Sequence, residues 1–357
     1  MNPLRIIHVA QIPLTPTTGM GRIACEWNAA AKRKGIDFVH VGPREVGREI
    51  HPLLFSIKAR KVAEGLLTER TLLLLHEPNG WAFRGMPHTK VAFSHGIELR
   101  AIAVEQKFHR ISSRRKLTDP VTLWLKKRAI QTADGLLASS TEDRRYLADR
   151  GIMKEDRVRV FRNGVDLAPV MENAAVAPDR DKTIVFNGTW SLRKGTDVLI
   201  KAASLLAKRG IRPHWLLIGT GASPAEVRSA WPESLWEHMM IITNFQREDE
   251  FSLLSRASMY VLPSYFEGQS LSLLQAMAAG LCCISTECCG QKDVIRHGEN
   301  GLFFPQGDHV KLADLIQEMW ENPAKRGDLA TQARILMEGR TWPVVTDEIM
   351  GWLQERA

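Results

Sequence analysis

The chain has 357 residues, enough for two domains that each bury a core of their own. Its composition is that of a soluble globular protein, with no run near the roughly 18 apolar residues that a membrane span requires. The net charge of +8 is uneven: residues 1–170 hold 29 Lys and Arg against 17 Asp and Glu, whereas residues 171–357 hold 19 against 23. A one-sided positive field favours an anionic partner, but none of the recognisable nucleic-acid modules accompanies it, so nucleic acid is not expected as a partner.

The start, "MNPLRIIHVAQIP", enters a strand directly, without a charged leader and cleavage site, which predicts a cytoplasmic protein. The helix "GRIACEWNAAAKRKG" follows, opened by Gly19 and Gly21 in "TTGMGR". Two such glycines leave room for a phosphate to approach; a simple turn is the alternative. "DFVHVGP", "TLLLLHEP" and "KVAFSHG" read as further strands with polar residues at their ends, the last carrying His95. "DGLLASS" and "VRVFRNGVD" close the first half. Alternation of strands and helices predicts a parallel sheet covered on both faces, with ligands at the carboxyl ends of its strands.

Between these strands lies the basic segment 105–131, in which Phe108, Trp124 and aliphatic residues interleave with Lys126, Lys127, Arg128 and other cations. Such a stretch suits an anionic membrane surface or a phosphorylated lipid head group. The plainer reading is a solvated helix packed on the sheet by its apolar side.

Composition shifts at "LAPVMENAAVAPDRDK", rich in alanine and proline, which reads as an interdomain linker. The Asp-x-Asp spelling at Asp179 to Asp181 lies in this linker and is taken as chance. The second half restarts the pattern with "TIVFNG", "HWLLIG", "MMIITN", "MYVLPS", "LCCIST" and "GLFF" as strands and helices between them. "GTGASP" begins like a dinucleotide fingerprint but lacks its third glycine. Four of the five cysteines crowd into "CCISTECC". A zinc site needs two pairs that face each other, and adjacent strand residues point to opposite faces, so a buried strand is preferred and no metal is expected.

"SYFEGQSLSLLQAMAAG" places Glu267 and Gly268 at a turn, then hydroxyls, then a helix of small apolar residues. The unpaired N–H groups of such a helix start attract an anion.

"RNGVD" (Arg162 to Asp166), "RKG" (Arg193 to Gly195), "LPSYFEGQSLSLLQAMAAG", "CGQKDVIRHGENGLFF" and the late "TW" at Thr341 and Trp342 occur in an order that resembles the family 4 glycosyltransferases, retaining enzymes of the GT-B fold. The likeness covers nearly the whole chain. It implies two facing, doubly wound Rossmann-like α/β domains with an interdomain cleft: residues 1–168 for the acceptor, residues 169–340 for a nucleoside-diphosphate sugar, and a final helix 341–357 packing back onto the first domain.

By that resemblance Glu267 touches the donor sugar and Lys194 lies at the phosphates with the amides of Gln269, Ser270 and Leu271; the residues alone add Gly19 and Gly21 near a phosphate, and Arg193 as the neighbour that supplies the charge missing at Thr189. His95 stands near the reacting sugar and the acceptor, Gln275 at the ribose, and Asn244 and Phe245 at the base. The implied partners are a nucleoside-diphosphate sugar and a glycan or glycolipid acceptor, with no cofactor.

Two positions depart from the family's pattern. Gln275 replaces its second glutamate, and Thr189 replaces an arginine five residues before the lysine. These departures keep open a non-catalytic homologue that binds a sugar nucleotide or polyanion; a nucleotide-sugar 2-epimerase shares the fold but fits the motif order poorly.

Overall fold

The structure is a computed structural model that describes residues 3–47, 51–108, 113–167 and 180–357. It divides into two compact units, Met1–Asn163 with Trp342–Ala357, and Gly164–Thr341. In the first unit, β1 (Arg5–Val9), β2 (Asp37–Val41), β3 (Thr71–His76), β4 (Thr89–Phe93), β5 (Gly135–Ala138) and β6 (Val158–Val160) form one sheet in the order 2-1-3-4-5-6. Every pairing in it is parallel. Central strands show why: Leu72, Leu73 and Leu74 on β3 are wholly buried, as a strand covered on both faces demands.

In the second unit, β7 (Thr183–Asn187), β8 (His214–Ile218), β9 (Met239–Ile242), β10 (Met259–Leu262), β11 (Cys282–Thr286) and β12 (Leu302–Phe304) run in the order 12-11-10-7-8-9. These pairings are also all parallel. The strand order reverses between β7 and β10, which makes their carboxyl ends the natural ligand crevice of this unit. Cys282 and Cys283 alternate along β11, both fully buried, and burial pushes the Cys282 thiol up to about 12. Among the described residues no cluster of His, Cys, Asp or Glu has the geometry to hold a metal.

The crossing between units falls at Asn163–Gly164, earlier than the shift in composition at Leu167. Backbone bonding sets it there: the Val165 N–H donates to the Arg340 carbonyl at 3.0 Å, and Val165 bridges Thr341, so "RNGVD" and "TW" meet across the chain. Most of the expected linker, residues 168–179, lies outside the described residues. The described aspartate of the Asp-x-Asp spelling, Asp181, accepts from Arg326 at 2.9 Å, a structural tie. The last helix, Trp342–Gln354, belongs to the first unit, where Thr346 and Asp347 accept from Arg33 of helix Gly19–Arg33.

The basic segment forms part of helix Glu98–Phe108 and helix Ser113–Gln131, with residues 109–112 outside the described residues. Leu123 and Ile130 pack on the core. Lys126 turns inward to an ion pair with Glu98, whereas Val121 and Trp124 stay 63% and 57% exposed, with the Arg128 guanidinium 5.5 Å from the Trp124 ring. Among the described residues no helix is long and apolar enough to cross a membrane.

Candidate active site

The crevice between β7 and β10 collects the chemistry of the second unit. After β7 the chain makes a short 3-10 turn, Leu192–Lys194, that ends on Gly195 in the left-handed region, φ 71°. A Cβ at Gly195 would lie 1.9 Å from the Pro263 carbonyl oxygen, so only glycine lets this turn press against the end of β10. The contact is fastened by the Tyr265 N–H, which donates to the Arg193 carbonyl at 2.9 Å. Lys194 is thereby carried to Glu267.

Lys194 Nζ lies 2.7 Å from Glu267 Oε1, and Ser264 Oγ donates to the same oxygen at 2.7 Å. Glu267 is 6% exposed. Burial alone would raise its pKa, but the charges of Lys194 and Arg193, with the hydrogen bonds from Lys194 and Ser264, outweigh it and hold the carboxyl below its ordinary value. The Glu267 carboxylate is therefore kept charged in a partly dry setting, where a charge acts strongly on whatever comes beside it.

From behind, the turn after β11 braces this loop. Cys289 Sγ accepts from the Glu267 N–H at 3.5 Å, and the Gly290 N–H donates to the Gly268 carbonyl at 2.9 Å. Ser270 caps helix Leu271–Ala278, its hydroxyl accepting from the Leu273 N–H at 3.5 Å. A hydroxyl chain runs on from Ser270 through Ser272 to Tyr260. Gln269 turns its side-chain oxygen to the buried Arg340 at 2.6 Å. The backbone of residues 269–271 is thus fixed on both sides, and the first N–H groups of the helix have no carbonyl one turn back to bond to.

Other predicted residues of this unit sit around the same edge. Thr189 and Arg193 are exposed, and the Arg193 charge reaches Glu267. Phe245 is half-buried in the loop after β9, packed where a Cβ on Gly219 would lie 3.1 Å from its ring, while Asn244 is exposed. Gln275, 1% exposed, donates from Nε2 to Asp166 Oδ2 at 3.4 Å, and Asp166 is gripped by Arg247.

The remaining predicted residues belong to the first unit. Gly19 is exposed at the first position of its helix. A Cβ on Gly21 would lie 2.3 Å from the Thr15 carbonyl oxygen, so the helix start presses on its own loop where only glycine fits. His95 follows β4, with ring centroids of His76, Phe93 and Phe161 at 5.6, 5.6 and 6.3 Å. Burial lowers its pKa to about 4.

Sequence reasoning passed over Glu77, just beyond β3. It accepts from Ser94 Oγ at 2.6 Å and from the Glu98 N–H at 3.2 Å, and burial pushes its carboxyl up to about 8. A glutamate directly after "TLLLLH" was the available signal. Asp166 and Arg247 were likewise given no role.

Comparison with known proteins identifies the fold and the family. A model described as Glycosyl transferases group 1 matches residues 170–335, and one described as Glycosyltransferase Family 4 matches residues 20–169. The amylovoran biosynthesis glycosyltransferase AmsK of Erwinia amylovora is 28% identical over 153 residues, 41% of this chain and 38% of that protein. Two further curated relatives are matched over 42% and 54% of their lengths, so the chain spans about half or less of the length of these relatives.

Among solved structures, sucrose-phosphate synthase from Thermosynechococcus elongatus superposes with a TM-score of 0.81 over 99% of both chains at 19% identity. HepE from Anabaena, solved in complex with UDP-glucose, gives 0.71 over 99% of this chain and 100% of its own at 17% identity. Both are likenesses of fold.

Proposed function

The chain belongs to the family 4 glycosyltransferases, with the GT-B fold, and from that premise we propose a metal-independent, retaining transferase that uses a nucleoside-diphosphate sugar. It moves the sugar to a hydroxyl of a glycan or lipid-linked glycan in cell-surface polysaccharide or glycolipid synthesis. The observation that carries the reading is the Lys194–Glu267 pair beside the start of helix Leu271–Ala278. One end of this arrangement suits a diphosphate and the other suits sugar hydroxyls.

In the proposed reaction the bond from the anomeric carbon to the donor phosphate breaks and a bond to the acceptor oxygen forms on the same face. The acceptor proton passes to the leaving phosphate. Lys194, Arg193 and the 269–271 amides neutralise the charge that develops on that phosphate, which is where preorganised donors lower a barrier most. Glu267 accepts from the sugar hydroxyls and orients the anomeric carbon. On the first unit, His95 serves the acceptor as a neutral hydrogen-bonding group, and the exposed Val121 and Trp124 beside Arg128 suit peripheral contact with an anionic bilayer from the cytoplasm.

The test is nucleoside diphosphate release by purified protein from UDP-, GDP-, ADP- and dTDP-sugars, each with and without a bacterial glycolipid extract. UDP-glucose leads the panel because HepE holds it. Release from one donor that rises with extract is the expected result. A donor that raises the melting temperature but never releases nucleotide would overturn catalysis in favour of a binding protein.

A further inference from the structure

We propose that Asp166, held in place by Arg247 and Gln275, is the group that reads the pentose of the donor nucleotide. The inference rests on the nucleotide-sugar reading above and names the residue that reading leaves open. Gln275 lies four residues beyond Leu271 on the same helix, about 6 Å along its axis. With the diphosphate at the helix start, the part of a nucleotide that falls one turn along is the pentose, with its pair of neighbouring hydroxyls.

The side chain that meets those hydroxyls is decided by exposure. Gln275 is withdrawn: it is 1% exposed, its Nε2 is committed to Asp166, and its Oε1 is buried with no partner. A ligand reaches neither end without displacing the neighbours. Asp166, in front of it, keeps 35% of its side chain exposed.

The Asp166 carboxylate is also prepared. Arg247 Nε donates to Oδ2 at 3.0 Å, and Arg247 Nη2 lies 2.7 Å from both carboxylate oxygens. The Gln275 amide adds a contact to Oδ2 at 3.4 Å. Oδ2 is thus crowded by protein donors, whereas Oδ1 takes only the Arg247 contact among these and retains capacity to accept a hydroxyl. The backbone one residue earlier is tied down through the Val165 N–H to the Arg340 carbonyl. A fixed, charged acceptor beside a diol is a discriminating device, because a ligand lacking one hydroxyl leaves it without its partner.

A neutral residue at position 275 is then no loss of charge from this part of the site. The carboxylate stands at Asp166, and Gln275 supplies the N–H that a second carboxylate could not. Arg247 and Gln275 act through Asp166 as positioning residues.

The experiment measures calorimetric affinity of the full chain for UDP and GDP, each against its 2′-deoxy form. Wild type is expected to prefer the ribose form by about tenfold or more. Asp166→Asn should reduce that preference to about threefold or less, and Arg247→Met and Gln275→Leu should each reduce it only partly. Melting curves accompany each variant, and Arg247→Met keeps the proposal testable if the Asn variant unfolds. The proposal is overturned if wild type shows no preference, if Asp166→Asn retains it, or if Gln275→Leu alone abolishes it. Failure of wild type to bind any of UDP, GDP, ADP and dTDP overturns the nucleotide-sugar reading as well, whereas tight binding of a ribonucleotide without ribose preference removes Asp166 alone.

Discussion

The carboxyl edges of the two sheets are built alike, but the second keeps a buried carboxylate charged while burial favours neutral groups at the first. Each is the polar rim of six parallel strands, and each buries ionisable side chains. At the second edge Glu267 stays charged because Lys194 and Arg193 are placed against it. At the first, His8, His40, His76 and His95 are all pushed toward the neutral form by burial, and Glu77 is raised to about 8. Burial by itself selects neutral groups; a buried charge persists only where its opposite arrives with it. The second edge is therefore suited to an anionic donor and the first to hydroxyls.

The largest effect should come from dismantling the charged edge. Lys194→Ala and Glu267→Gln are each expected to lower turnover by about 10²- to 10³-fold, the scale of losing one preorganised charge partner at the reacting group. Because the two act as one unit, the double variant should be little worse than either single one. Steady-state rates on the donor identified by nucleotide release, with circular dichroism to confirm the fold, check this. Near-normal turnover in either variant would remove the pair from the chemistry.

The neutral edge can be tested by pH, in two opposite directions. Glu77 rises from 4.5 to about 8 on folding, so between those values the native state keeps a proton that the unfolded chain releases, and stability falls as pH rises through the window. His76 and His95 fall from 6.5 to about 3 and about 4, so the unfolded chain takes up protons first, and stability falls as pH drops below 6.5. Glu77→Gln should abolish the alkaline branch, whose slope is at most about 1.4 kcal/mol per pH unit, and steepen the acid branch below pH 6.5, where the Glu77 slope opposed it. Urea midpoints at pH 5, 6, 7 and 8 measure both. An alkaline slope that survives in the variant would show that Glu77 is ionised in the native protein.

The same contrast explains what was legible in the sequence. Buried strands announce themselves as apolar runs; Glu267 stood out by the helix start that follows it and Lys194 by the family resemblance, and both lie past strand ends, where open α/β sheets place their ligands. The Asp166 cluster could not be read this way. Its members are 81 and 109 residues apart, and nothing local says that a glutamine in the middle of an apolar helix turns toward an aspartate near the start of the same unit.

Composition misled in two places. Lys126 counted toward a basic surface but turns inward to Glu98, and the alanine- and proline-rich stretch suggested a boundary that backbone pairing at Val165 places earlier.

The smallest expected effect belongs to His95, and it bears most directly on the contrast between the edges. With its pKa held at about 4 by burial, the imidazole is neutral throughout the physiological range, so it can donate or accept one hydrogen bond but cannot neutralise a phosphate. A neutral hydrogen bond to an acceptor hydroxyl is worth about 1 kcal/mol, so His95→Leu should cost roughly five- to tenfold in kcat/KM for the acceptor and leave donor KM unchanged. His95→Gln, which keeps both a donor and an acceptor, should recover most of that loss. If His95 instead worked as a cation, the wild-type rate would climb as pH falls from 7 to 5, and His95→Gln would fare no better than His95→Leu. Rates of the three proteins across that range, with donor and acceptor varied separately, decide between a neutral rim that recognises hydroxyls and a second charged edge.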